Sequence, residues 1–322
     1  MKKSLIVIIT SLLLVSQANA TDMGIVTGST KGTYYKIGLN IASLVDRYGI
    51  NLKVMPSNGS LDNVAAVYET PGVQLGIAQS DVLSFIKNQH DEELKKIARK
   101  IKMVFPLYNE EIHLLATLRI NSLSDLDGKR VAIGNVGSGT YLTSKLILEI
   151  ADTEPRVEVK VGGSEALNQL ANGQVDAMFY VAGYPVKLFK EFREEKLHLV
   201  PITGKDVMEY YEPSRIPANT YPWQDSAVKT VAVKAVLITY DYKREHCRNV
   251  GRLAKIMYDN MPWLRRNGHE KWNDVDLDYR LKNWEQYRCV REALRGYSSS
   301  SRSPSQEQGG ARERLIERLD RW

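Results

Sequence analysis

Gly28-Ser-Thr-Lys-Gly-Thr-Tyr-Tyr35 places glycine, hydroxyl and aromatic residues directly before an amphipathic run. About a hundred residues later, Gly134-Asn-Val-Gly-Ser-Gly-Thr-Tyr141 has nearly the same composition and also precedes a run with helical spacing. A glycine-bearing turn at a helix N-terminus exposes backbone N–H groups that can hold an anion. The two stretches, named here the Gly28 loop and the Gly134 loop, predict two copies of one strand–turn–helix unit.

The sequence around each loop continues in the same order. A strand precedes the loop and a helix follows it, and then come a second strand, a polar glycine turn, a second helix and a third strand. The later elements are predicted at residues 52–55, 61–68 and 73–78 in the first copy and at 157–161, 165–171 and 175–181 in the second. This alternation predicts two α/β lobes with parallel sheets. Every polar turn lies at the carboxyl end of a strand, where open parallel sheets bind ligands, so we expect the lobes to enclose a cleft.

Two strand-like regions are suited to cross between the lobes. The first is residues 105–108 leading to 112–117, and the second is residues 230–239. The predicted division is a signal peptide at 1–20, a first segment of lobe 1 at 21–108, lobe 2 at 109–229, a hinge return with C-terminal helices that pack on lobe 1 at 230–296, and a polar, largely disordered tail at 297–322.

The N-terminus has the pattern of a cleaved export signal. Lys2 and Lys3 precede an apolar run over residues 5–15, and Ala18-Asn-Ala20 supplies small residues for cleavage. The run is shorter than the roughly 20 residues that span a bilayer, and Thr21 follows it instead of a lipid-modifiable cysteine. We therefore expect an exported protein, in a bacterial periplasm.

Bulk composition excludes several classes of protein. The 322 residues are 43% hydrophobic and 25% charged, which is typical of a globular chain. The net charge of +6 lies partly in the signal peptide and the tail, so no nucleic-acid partner is expected. The five histidines are scattered without ligand spacing, and no metal or other cofactor is predicted.

Cys247 and Cys289 lie in helix-like sequence near the end of the chain and are too far apart for CxxC chemistry. Export favours a disulfide that ties the C-terminal helices together, with two free thiols as the alternative.

The loop residues have two possible roles each. Thr33 and Thr140 either cap their helices or add hydroxyls to the anion site. Of Tyr34 and Tyr35, one can pack while the other lines the cleft, and Tyr35 is favoured for the cleft. The amides of Asn58 and Gln79 either bind a ligand or stabilise their own turns, and Phe179 either walls the pocket or belongs to the core.

Known catalytic and nucleotide motifs do not fit these loops. Neither loop matches the P-loop or the dinucleotide fingerprint, and Gly137-Ser-Gly139 lacks the first glycine of a serine-hydrolase elbow. Asp81 and Asp176 are interpreted as a helix cap and a strand residue rather than as paired catalytic acids. We therefore expect the protein to have no enzymatic activity.

The stretches TGSTKGTYYKIG, GIAQSDV, GNVGSGTY and GQVDAMFYVAGYP together resemble the TAXI family of TRAP-transporter solute receptors, from about Met23 to Tyr287. The resemblance implies a type II periplasmic binding protein fold, in which two α/β lobes joined by two hinge strands close on a small organic anion. It also implies glutamate, glutamine or a related C5 dicarboxylate as the ligand, and a membrane permease driven by an ion gradient as the partner.

Carried over residue by residue, the resemblance implies a set of ligand-binding positions in the turns of both lobes. They are Gly32, Thr33, Tyr34, Tyr35, Asn58, Gly59, Gln79, Gly137, Ser138, Gly139, Thr140, Tyr141 and Phe179. None of these loops contains arginine, so hydroxyls, amides and helix N-termini are expected to hold the anion.

The predicted function is that of a monomeric extracytoplasmic receptor. It would capture a small carboxylate or amino acid such as glutamate, glutamine or 2-oxoglutarate and deliver it to a TRAP permease. The alternatives are a periplasmic sensor subunit that signals to a membrane kinase and an enzyme built on the same fold.

Overall fold

The computed structural model describes residues 21–192, 196–282 and 284–295. The predicted signal peptide and the predicted tail lie outside these residues. Within them, no helix is long and apolar enough to cross a membrane.

The described residues form ten strands and eleven α-helices. The strands are β1 Thr21–Val26, β2 Ile50–Met55, β3 Leu75–Gln79, β4 Ile101–Thr117, β5 Arg130–Ala132, β6 Val157–Val159, β7 Ala177–Ala182, β8 Leu197–Leu199, β9 Glu212–Ile216 and β10 Val228–Tyr240. The helices are α1 Thr33–Asp46, α2 Ser60–Glu69, α3 Ser80–Asn88, α4 Glu92–Lys100, α5 Gly139–Ile150, α6 Gly163–Ala171, α7 Lys187–Glu191, α8 Lys205–Tyr210, α9 Arg244–Asp259, α10 Met261–Asn267 and α11 Arg288–Arg295. Two 3-10 helices lie at Leu123–Leu126 and Glu270–Asp274.

The strands form one continuous sheet in the order β2-β1-β3-β10-β4-β7-β5-β6. In addition, β8 pairs with β4 and β9 pairs with β10. Strands β1, β2 and β3 are parallel to one another, as are β5, β6 and β7. The antiparallel pair β4 and β10 runs between these two groups. The structure therefore confirms the predicted fold of two α/β lobes joined by two long strands.

Strand β4 is one element where the sequence predicted two runs with a gap between them. It keeps pairing through residues 109–111, which face Lys234, Val233 and Ala232 of β10. The pairing shifts between Lys234 and Val236, so that Leu107 and Tyr108 together face Ala235 alone. Such a β-bulge accommodates the neighbouring Pro106 and re-aims the side chains that follow it.

Helix α1 shows how apolar spacing builds the core of lobe 1. Ile37, Ile41, Leu44 and Val45 recur at helical spacing and are buried against the sheet. Helices α9, α10 and α11 contribute to the same cluster, so the C-terminal part of the chain packs on lobe 1. The residue limits predicted for the lobes stay a prediction, because β4 and β10 pass from one lobe to the other.

A disulfide joins Cys247 in α9 to Cys289 in α11, with the Cα atoms 5.5 Å apart. It ties the last described helix to the helix that packs on α1.

Removing this disulfide should lower the free energy of unfolding. For a separation of 42 residues, the chain-entropy estimate is about 4 kcal/mol. Urea unfolding of the Cys247→Ser, Cys289→Ser double variant against the oxidised protein measures the loss. Reductant should destabilise the wild type and leave the double variant unchanged, and equal midpoints for the oxidised protein and the double variant would contradict the expectation.

Candidate functional site

The two lobes touch through the start of α2 and the Gly134 loop. The N–H groups of Leu61 and Asp62 both donate to the carbonyl oxygen of Gly137, each at 3.1 Å. These N–H groups belong to the first turn of a helix and have no partner within it. Gly137 has φ +89°, and a side chain there would collide with Asp62. The second lobe thus caps a helix of the first, and this helix end is not free for an anion.

A second contact lies beside the first. Gly139 begins α5, and a Cβ atom there would collide with the side-chain amide of Gln79 and lie 2.7 Å from the hydroxyl of Ser60. Gly59 also faces Ser138, but a Cβ atom there would lie 3.4 Å from the Ser138 Cα atom, an ordinary contact, and its φ of +127° is what favours glycine. The glycines let the two backbones approach closely, and the structure shows the lobes closed on each other.

Asp81 lies at this junction although the sequence interpretation made it a helix cap. The N-cap of α3 is Gln79, and the Asp81 carboxylate instead accepts from the hydroxyls of Thr143, at 2.6 Å, and Tyr211, at 3.2 Å, both from the second lobe. Burial raises the Asp81 pKa to about 6 against the effect of these donors. Asp81 is therefore a hydrogen-bonded link between the lobes.

Glu110 lies on β4 and is only 3% exposed. The Tyr34 hydroxyl donates to its Oε2 atom at 2.5 Å, and the Gln79 amide also hydrogen-bonds to the carboxyl group. Burial raises the Glu110 pKa to about 8, and the charges of Asp81 and Glu111 act in the same direction. Among the residues that the structure describes, no lysine or arginine pairs with this carboxyl group.

Tyr108 lies two residues before Glu110, in the bulge of β4. Its side chain is fully buried, yet its hydroxyl has no hydrogen-bond partner within the described part of the chain. Burial raises its pKa, and the nearby charges of Glu110 and Glu111 raise it further. Buried hydroxyls are almost always paired, so this group points to a partner that the protein itself does not supply.

Glu111, the neighbour of Glu110, has a different environment. Its carboxylate accepts from the N–H of Tyr184 at 3.3 Å and from the Ser214 hydroxyl at 3.4 Å. Burial raises its pKa, while the positive charge of Lys271 lowers it. Lys271 also binds Asp274 at 2.8 Å and lies 4.4 Å from the centre of the Tyr184 ring. Glu111 is thus partly balanced by a cation.

The hydroxyls of the Gly134 loop have partners within lobe 2. Ser138 is the N-cap of α5 and accepts from the Tyr141 N–H at 3.1 Å, and Thr140 accepts from the Val181 N–H at 3.2 Å. Tyr141 and Phe179 are fully buried in the hydrophobic core, which for Phe179 is the alternative left open above. In this closed form, these side chains stabilise the lobe.

Of three other predicted residues, Tyr34 reaches the junction, whereas Thr33 and Asn58 have local positions at the starts of their helices. Tyr34, rather than the favoured Tyr35, reaches Glu110. Thr33 follows the N-cap Gly32, and in the described structure no side-chain hydrogen bond caps α1. The Asn58 amide donates to Asp62 at 2.7 Å on an exposed surface, so it stabilises the α2 turn.

Sequence reasoning missed a group of polar residues that line the junction. They are Asp81, Tyr108, Glu110, Glu111, Thr143 and Tyr211. The adjacent glutamates were detectable, because they interrupt two apolar strand-like runs. Within the described ranges, no group of three or more His, Cys, Asp or Glu residues is arranged to hold a metal ion.

Glu110→Gln should change how stability depends on pH. The Glu110 pKa rises from an ordinary value of 4.5 to about 8 in the folded protein. The folded state then retains a proton that the unfolded chain loses, so wild-type stability falls as pH rises through this range. The uncharged glutamine escapes this loss and can still accept from Tyr34.

We therefore expect the melting temperature of the ligand-free variant, relative to the wild type, to be higher at pH 9 than at pH 5 by at least about 2 °C. Differential scanning calorimetry measures the difference. Glu154→Gln, at an exposed position, is the control. Its melting temperature should differ from that of the wild type by the same amount at pH 5 and at pH 9. A constant difference for Glu110→Gln would show that this carboxyl group titrates normally.

Comparison with solved structures identifies proteins of the same fold. Tv2483, in a structure bound to L-arginine, is 12% identical, with 82% of this chain and 96% of that chain covered and a TM-score of 0.52. XAC2383 from Xanthomonas citri, bound to ATP, is 11% identical, with 94% and 98% covered and a TM-score of 0.51. At these identities the similarity concerns the fold alone.

The sequence model of the NMT1-like family matches residues 25–283, from β1 to the segment after the second 3-10 helix. The matched region includes both lobes, both long strands and every residue of the junction described above. The chain belongs to the NMT1-like family.

Proposed function

We propose that this protein is an extracytoplasmic solute receptor of the TAXI type, which captures a small carboxylate or amino acid and delivers it to a TRAP permease. One observation carries the proposal. The turns at the carboxyl ends of the strands in both lobes meet face to face. The N–H groups at the start of α2 donate to the carbonyl oxygen of Gly137, and the side-chain amide of Gln79 packs against Gly139. In open parallel sheets, such turns form the ligand site.

The ligand is proposed to be glutamate, glutamine, 2-oxoglutarate or a close relative. No side chain among the described residues caps the N-terminus of α1, and its N–H groups and partial positive charge suit a carboxylate. Tyr34, in the first turn of this helix, reaches into the junction through its hydroxyl. A ligand bound here would contact the Gly28 loop and β4 together.

Hinge motion about β4 and β10 is the proposed mechanism. Opening would separate Gly137 from α2 and Asp81 from Thr143 and Tyr211. A ligand shifts the equilibrium only by binding the closed form more tightly than the open one. Capture requires no chemical step, and no catalytic role is proposed for any residue.

Export to the periplasm completes the proposal. Cleavage after Ala20, the predicted site, would leave all of the described strand β1, Thr21–Val26, in the mature protein. A sensor subunit would use the same closed form, and neighbouring genes for a permease or for a kinase would distinguish the two functions.

A ligand screen tests the proposed capture. We expect the melting temperature of the mature protein to rise with at least one of glutamate, glutamine or 2-oxoglutarate in a thermal-shift panel of about a hundred organic acids and amino acids. A ligand at a hundredfold excess over its Kd adds about 2.7 kcal/mol. If no acid or amino acid in the panel stabilises the protein, the receptor function is wrong.

Gly139→Val should keep the lobes apart. The valine side chain would overlap Gln79 and Ser60 across the junction, and Gln79 is too buried to move aside. Small-angle X-ray scattering with saturating ligand should give a smaller radius of gyration for the wild type than for the variant. Gly204→Val is the matched control, because a Cβ atom there meets only Val207, at 3.8 Å. Ligand-induced compaction of Gly139→Val equal to that of the wild type would show that this contact does not limit closure.

A further inference from the structure

We propose that the ligand of this cleft carries an ammonium group that pairs with Glu110, so that the receptor selects amino acids over 2-oxo acids and plain dicarboxylates. The inference rests on the proposed function, since it names the ligand class of the same site. Of the predicted ligands, glutamate and glutamine carry an ammonium group and are retained, whereas 2-oxoglutarate carries none and is excluded.

Among the described residues, Glu110 has no cationic partner. Glu110 is buried, and its hydrogen-bond donors in the described structure, Tyr34 and Gln79, are neutral. Burying a carboxylate without a positive partner is costly, so such a group either holds a proton, as the raised Glu110 pKa indicates for the ligand-free form, or pairs with a cation. A carboxylate has about four acceptor sites, so two neutral donors leave room for an ammonium group. A ligand ammonium would supply the missing charge.

Tyr108 provides a second, independent observation. Its hydroxyl is buried without a hydrogen-bond partner among the described residues, and it lies close enough to Glu110 to feel the carboxylate charge. An ammonium group has three donors and no acceptor. It therefore has donors to offer both to the Glu110 carboxylate and to the Tyr108 oxygen, the two groups here that want a donor among the described residues.

The other two buried acids of the junction do not compete for this role. Asp81 accepts from Thr143, Tyr211 and the Val82 N–H, and these contacts hold the lobes together. Glu111 is bonded to Tyr184 and Ser214 and lies near Lys271. Of these three acids, Glu110 is thus the one that lacks both a cation and a hydroxyl from the second lobe.

The position of Glu110 relative to α1 matches the two charges of an amino acid. Tyr34 is the second residue of α1, and its hydroxyl touches the Glu110 carboxylate. The positive, uncapped end of the helix and the negative carboxylate are therefore separated by one tyrosine side chain. A ligand with its carboxylate at the helix end could therefore reach Glu110 with its α-ammonium.

The test compares matched pairs of probes by isothermal titration calorimetry at pH 7.5. The pairs are L-glutamate with 2-oxoglutarate, L-alanine with pyruvate, L-leucine with 4-methyl-2-oxopentanoate, and L-arginine with 5-guanidino-2-oxopentanoate. We expect the wild type to bind the preferred amino acid at least tenfold more tightly than its 2-oxo counterpart. Glu110→Gln should weaken amino-acid binding at least about 30-fold and change 2-oxo-acid binding little.

Asp81→Asn is the matched control. It removes a buried carboxylate from the link between the lobes, so it should weaken both members of a pair by the same factor. Circular dichroism establishes that each variant is folded. The selectivity of the wild type needs no variant and tests the inference even if Glu110→Gln fails to fold.

Each outcome has one meaning. A 2-oxo acid bound as tightly as its amino acid, or a folded Glu110→Gln protein with wild-type affinity for the amino acid, overturns the ammonium assignment and leaves the receptor function standing. No binding of any probe, together with no stabilisation in the organic-acid panel, overturns the receptor function and this inference with it.

Discussion

The antiparallel pairing of β4 with β10 holds the two lobes in one sheet. These two antiparallel strands separate two groups of parallel strands, so they join the lobes and continue the sheet. The bulge beside Pro106 changes the direction of β4 just before Asn109, Glu110 and Glu111. One strand therefore serves as a connection between lobes and as the carrier of the buried acids.

The electrostatics of the junction follow from that geometry. A carboxylate on a strand at the centre of a sheet is removed from water whenever the lobes close, and its pKa rises because the charged form loses hydration. Hydroxyls from the second lobe satisfy Asp81, and Lys271 partly balances Glu111. In the described part of the chain, the donors to Glu110 are neutral groups of the first lobe. Of the three acids, Glu110 therefore loses the most free energy of hydration without compensation when the lobes close without a ligand. A cationic group on the ligand would offset that cost.

The glycine loops were predicted from the sequence, but their role in the closed form was not. Gly137 and Gly139 were assigned to an anion site because glycine turns precede helices. In the structure, Gly137 caps the α2 helix of the other lobe, and Gly139 leaves space for Gln79 and Ser60. Ser138 and Thr140, proposed to face a ligand, bond to the backbone of their own lobe. Composition drew attention to the Gly134 loop because close backbone approach needs glycine, whatever the backbone approaches.

The amino-acid sequence by itself determined the duplicated strand and helix order, the two lobes and the long crossing strands, because apolar periodicity and glycine turns are local properties of the chain. Only the tertiary structure decided which polar side chains meet. Tyr34 and Glu110 are 76 residues apart, and Asp81 and Thr143 are 62 apart. No local pattern encodes such pairs, since they form only when the sheet brings distant turns to one junction and excludes water from it.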